Sequence, residues 1–152
     1  MPDLRHYFGL KKDPFPQNIP VKDLYPLPAL HPLEKRVFFA IEQKAISVIT
    51  GDVGSGKSTS LRYVCSKCHQ SEYHQIPIIG GSYSIMELYR LILLSFGIEY
   101  HSYQISMMIQ KIRALILEIA TRKITPLLII DEAHLLKKHV FTQLHTLIQF
   151  EY

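Results

Sequence analysis

The spacing of apolar positions changes several times along the chain, and each change predicts an element. Val37, Phe38, Ala40 and Ile41 recur at helical spacing, which predicts a helix over residues 32–44 with Pro32 tolerated in its first turn. Ala45–Thr50 (AISVIT) is a short β-branched run with the length and composition of a buried strand. Residues 57–69 read as a helix and His74–Ile79 as a second strand, weakened by Pro77. Ser84-x-x-Glu87 has the form of a capping box; Leu88, Leu91, Ile92 and Ser95 then continue one helical face up to a stop at Gly97. Over residues 104–121, Ile105, Met108, Ile109, Ile112, Leu115, Ile116 and Ile119 form one stripe, the core face of an amphipathic helix. Leu127–Ile130 is a continuous apolar run, the pattern of a parallel strand covered on both faces. Val140, Phe141, Leu144, Leu147 and Ile148 predict a last helix over residues 138–150.

Ahead of these elements, seven of the nine prolines fall in residues 2–32. Proline fixes φ and removes a donor, so residues 1–31 are expected to form an extended, irregular arm and residues 32–152 the folded core. Three strands alternating with helices predict an α/β architecture around a parallel sheet.

Composition narrows the class. With 152 residues, 47% hydrophobic and 20% charged, the chain can bury one core, and intrinsic disorder is excluded. Two cysteines cannot build a disulfide scaffold. No apolar run approaches 18 residues, because Arg90, Glu99, Arg113 and Glu118 interrupt the longest stretches, so no membrane span is expected. Met1 to Leu10 has no apolar signal core, which makes the cytoplasm the expected location. The net charge of +4 suits anionic partners, but the basic residues are spread in doublets such as Lys11–Lys12 and Lys137–Lys138, a solvated surface rather than a nucleic-acid clamp.

Two segments carry chemistry. Gly51-Asp52-Val53-Gly54-Ser55-Gly56-Lys57-Ser58 matches G-x-x-x-x-G-K-[ST] in full, between a predicted strand and a predicted helix. Its glycines let successive backbone N–H groups wrap a β-phosphate, and the following helix N-terminus adds aligned donors. Lys57 can reach the β- and γ-phosphates, and the Ser58 hydroxyl can ligate Mg²⁺. Downstream, the apolar strand Leu127–Ile130 ends in Asp131-Glu132 and delivers both carboxylates to the carboxyl edge of the sheet, where α/β folds bind ligands. Asp131 is the candidate Mg²⁺ ligand, directly or through water, and Glu132 the candidate general base. Together the segments predict a nucleoside triphosphate site.

Asp131–His134 spells DEAH, yet the chain lacks the nucleic-acid-gripping segment of DEAH-box helicases, continues with Leu135-Leu136, and is too short for two motor lobes. His134 is therefore read as a residue that tunes the site. Cys65-Ser66-Lys67-Cys68-His69 has the form of a c-type haem attachment site but falls mid-helix, and a zinc site with His74 lacks a second CxxC. Reduced thiols, buried or half-buried, are the expectation.

Taken together, Tyr7-Phe8-Gly9-Leu10-Lys11-Lys12-Asp13-Pro14-Phe15, the loop GDVGSGKST and LLIIDEAHLL resemble the ExeA/GspA-type AAA+ ATPases, a group related to the TniB/TnsC-type transposition ATPases and the origin-recognition-like AAA+ ATPases. The resemblance implies a three-layer α/β/α P-loop NTPase fold that binds ATP and Mg²⁺ and self-associates as an AAA+ oligomer. It implies phosphate contacts from Gly51 through Thr59, metal contacts from Ser58 and Asp131, and catalytic roles for Lys57 and Glu132. It also implies that Pro14-Phe15 packs near the adenine. The proline-rich arm, the Ser58-Thr59 loop end and the absence of a span are more similar to the transposon-linked branch, with DNA and a transposase as partners, than to the ATPases of type II secretion assembly. A catalytically silent nucleotide-binding fragment is the further alternative.

The family continues past the last helix into a sensor strand, an arginine finger and a small helical lid. The chain stops at Tyr152, so it is expected to be C-terminally truncated, to leave an unpaired sheet edge beside the Asp131 strand, and to bind nucleotide without efficient hydrolysis. An arginine finger alone is worth about 10³–10⁵ in rate. The polar residue that restrains the catalytic glutamate in the family has Ser82, in Gly80-Gly81-Ser82, as its candidate.

Overall fold

The computed structural model describes residues 4–13, 19–25, 27–101 and 103–148. They form an α/β fold with a parallel sheet. In chain order the elements are α1 (Leu4–Phe8), a 3₁₀ turn at Val21–Asp23, α2 (Leu30–Glu42), α3 (Lys57–Lys67), β1 (Tyr73–Ile79), α4 (Ile85–Ser95), α5 (Ile105–Thr121), β2 (Thr125–Asp131), a 3₁₀ turn at Ala133–Leu135 and α6 (Lys138–Ile148). Residues 1–66 and 67–152 are two compact units.

In the first unit the arm is less irregular than its prolines suggest. Helix α1 fits between Pro2 and Pro14, and the turn at Val21–Asp23 starts directly after Pro20, whose φ of −56° suits helix entry. The Arg62 guanidinium of α3 donates to the Ile19 carbonyl at 2.7 Å, and the Tyr63 hydroxyl donates to Glu34 on α2 at 3.1 Å. Pro14-Phe15, which the family resemblance places near adenine, lies outside the described residues.

One predicted strand is corrected. Ala45–Thr50 belongs to no ladder among the described residues, and Ile46 and Val48 are exposed. Strand propensity in a β-branched run expresses packing against neighbours, so without a partner strand the segment stays single.

In the second unit β1 and β2 pair in parallel, Tyr73 opposite Thr125 through Ile79 opposite Asp131. Ile76 and Ile78 on β1, opposite Leu128 and Ile130 on β2, share the core with Leu88, Tyr89, Ile92 and Leu93 of α4, Met108 and Ile112 of α5, and Val140, Leu144 and Leu147 of α6. Pro77 and Ile79 lie on the other face of β1, and both are exposed. Leu127–Ile130, expected to be covered on both faces, is half-buried at all four positions. Leu128 and Ile130 pack on the helical core, and among the described residues β2 pairs with β1 alone.

Pro77 does not interrupt β1, for a reason of parity. The Gly80 N–H donates to the Asp131 carbonyl at 2.7 Å, so N–H groups at even positions of β1 face β2. At the odd position 77 the missing N–H would have pointed away from the ladder, where proline is tolerated.

Helix α4 begins with the predicted capping box: the Glu87 N–H donates to Ser84 Oγ, and the Ser84 N–H donates to Glu87 Oε2 at 2.7 Å. It ends before Gly97 at φ +73°. The bonds from the Ser84 backbone and hydroxyl hold the Glu87 carboxyl below its ordinary pKa. A depressed carboxylate stabilises the fold above its unfolded pKa and loses that contribution as pH falls through the lower folded value. Ser84→Ala should cost about 1 kcal/mol in urea unfolding at neutral pH. The difference between wild type and Glu87→Gln should shrink as the solution is taken into acid; a constant difference across that range would contradict the assignment.

Candidate functional site

The phosphate-loop sequence forms a compact turn at the head of α3. The Ser55 N–H donates to the Asp52 carbonyl at 3.1 Å, and Gly54 and Gly56 take φ values of +79° and +83°, a region where a Cβ is unfavourable. Gly51 packs so closely on Ser55 that an added Cβ would stand 2.7 Å from its hydroxyl oxygen. The Gly56 carbonyl accepts the Ser60 N–H at 2.8 Å, which opens α3 at Lys57.

Lys57 folds back over this loop. Its ammonium donates to the carbonyls of Gly51 at 3.0 Å and Asp52 at 2.8 Å, so it already rests on a pair of oxygen acceptors. An incoming phosphate offers oxygens of higher charge to the same ammonium, and the helix N-terminus presents donors with partial positive charge. Ser58 and Thr59 follow in the first turn of α3, Ser58 half-buried and Thr59 exposed, while Val53 stands fully exposed at the loop tip. The residues from Gly51 to Thr59 thus fit a phosphate chain.

The acidic pair lies in the second unit, at the carboxyl end of β2. Asp131 is the last residue of the strand, and Glu132 turns the chain out of it with φ +51° and ψ +35°, a left-handed conformation costly for a side chain with a Cβ. Three contacts hold that turn. The Glu132 N–H donates to Asp131 Oδ1 at 2.9 Å, the Glu132 carbonyl accepts the Leu135 N–H at 3.0 Å, and Glu132 Oε2 stands 3.3 Å from His134 Nδ1. Asp131 fits a hydrated magnesium ion as an oxygen ligand, and Glu132 keeps a half-exposed carboxylate at the sheet edge.

Sequence reasoning missed one member of this group. Gly80, the first residue after β1, lies directly against the acidic turn: a Cβ on it would overlap the Glu132 carbonyl oxygen and stand 2.8 Å from its carbon and 3.0 Å from the Asp131 carbonyl oxygen. Ser82, the candidate to restrain Glu132, is exposed. No local sequence signal marks it, because the contact arises only where β1 and β2 end side by side.

The CxxCH residues have other engagements. Cys68 is buried, and Cys65 is half-buried with its thiol pushed up by burial. The His69 ring pairs with the Ser71 hydroxyl at 2.8 Å, and His74 stacks on Phe96 with ring centroids 5.1 Å apart.

A family model described as AAA domain matches residues 41–152, well over half of the chain and inclusive of both segments. Comparison with curated proteins and with solved structures returns no match. The left-handed strain yields a stability prediction. Glu132→Gly should raise stability to urea by roughly 0.5–1 kcal/mol, since relief of the Cβ conflict exceeds the extra unfolded-state entropy of glycine. A destabilised variant would mean that the Glu132 side chain contributes more through His134 than its backbone costs.

Proposed function

The chain belongs to the AAA domain family, and from that premise we propose that it is a Mg-ATP-binding ATPase module in which Gly51–Thr59 hold the triphosphate. The observation that carries this reading is the Lys57 ammonium, held on two carbonyl oxygens at the head of α3 inside a complete G-x-x-x-x-G-K-S loop. Lys57 contributes charge-assisted bonds to the β- and γ-phosphate oxygens, and the N–H groups around Gly54 and Gly56 wrap the chain. Ser58 and Asp131 are the residues that would hold Mg²⁺, whose charge, when bound, offsets that of the phosphate oxygens. Glu132 accepts a proton from, or orients, the water that attacks the γ-phosphorus. The arm and the two motifs support coupling of this ATPase to a DNA transaction such as transposition, in a self-associated AAA+ assembly.

Two variants separate binding from chemistry. Lys57→Ala should weaken Mg-ATP binding on the order of tenfold or more in a calorimetric titration, the scale of a lost charge-assisted contact; equal affinities would refute the loop assignment. Glu132→Gln should retain Mg-ATP affinity while turnover drops by about 10²–10⁴, the range of general-base catalysis. Unchanged turnover would remove Glu132 from that role.

A further inference from the structure

We propose that Gly80 is the positioning residue of the acidic turn: its bare backbone occupies the space beside the Glu132 peptide that any side chain would need, and it thereby sets where the Glu132 carboxylate stands. Its importance for turnover rests on the reading of Glu132 as the water-polarising base.

The contacts form one chain of constraint. The Gly80 N–H donates to the Asp131 carbonyl and ties the end of β1 to the end of β2. The carbonyl of Glu132, the first residue past β2, then lies over Gly80, since both its atoms would collide with a Cβ there. These neighbours are backbone atoms of a strand end, so they cannot rotate away as a long side chain would. The Glu132 backbone also donates its N–H to Asp131 Oδ1 and accepts from Leu135 at its carbonyl, so a shift at Gly80 passes along that backbone to the Glu132 side chain. Glycine is required here by space and not by dihedral freedom, because its φ lies outside the left-handed region that Gly54, Gly56 and Gly97 occupy. The requirement is thus directed at Glu132.

A displacement of about 1 Å at a catalytic group can cost on the order of 10² in rate. Gly80→Ala should therefore lower kcat for ATP by roughly tenfold to a hundredfold while the affinity for Mg-ATP and KM stay within about threefold. A second measurement tests the contact without turnover. A glycine at position 132 can take backbone conformations closed to glutamate, so Gly80→Ala should lower the melting temperature by less in the Glu132→Gly background than in the wild type. Should Gly80→Ala alone fail to fold, Glu132→Gly should restore folding of the double variant. Equal melting-temperature losses in both backgrounds, or a double variant that also fails to fold, overturn the proposal. An unchanged kcat in Gly80→Ala beside active wild-type protein overturns it as well. If wild-type protein binds no Mg-ATP, the ATPase reading fails, and the thermal cycle alone still decides whether Gly80 places the Glu132 peptide.

Discussion

The carboxyl end of the two-stranded sheet is closed by the hydrogen bond from the Gly80 N–H to the Asp131 carbonyl, and the placement of both acidic side chains depends on the register that this bond completes. That register originates in the hydrophobic core. Ile76 and Ile78 stand opposite Leu128 and Ile130, and all four belong to the packed helical side of the sheet. Side chains alternate along a strand, so a slip of one residue would turn this set outward and carry Asp131 toward the core. The packing of α4, α5 and α6 against four aliphatic side chains therefore does more for the acidic pair than any contact the carboxylates make themselves.

How far these features are legible in the sequence follows from the range of the forces behind them. Helices α2 to α6 express a period that eleven or more residues repeat, and the Ser84–Glu87 box is a local hydrogen-bond pattern; both can be read directly. The phosphate loop is equally local, since each glycine serves a turn made by its neighbours. Ala45–Thr50 is different. Its composition is that of a strand, but a ladder needs a partner, and no local rule names one. Pro77 weakened the prediction of β1 for the converse reason: whether its missing N–H matters depends on which edge carries the ladder, a parity fixed only by the pairing with β2. The contact of Gly80 with Glu132 spans 52 positions and arises where two strands end side by side, so only the register discloses it.

The two motifs solve one backbone problem by opposite means. In the phosphate loop, positive φ falls on Gly54 and Gly56, and open space surrounds both, so the turn is made with little strain. In the acidic turn, positive φ falls on Glu132, a residue whose side chain the proposed chemistry requires. Glycine there would ease the turn and delete the carboxylate. The accommodation is instead made across the ladder, at Gly80, where loss of a side chain costs no chemistry and frees the volume that the Glu132 peptide fills. Strain at a site residue persists only where its surroundings over-determine it, and here three hydrogen-bonded or ionic contacts and one close backbone approach do so. Removal of the strain at position 132 and removal of the space at position 80 should therefore have opposite effects on stability, yet both should disturb the same carboxylate.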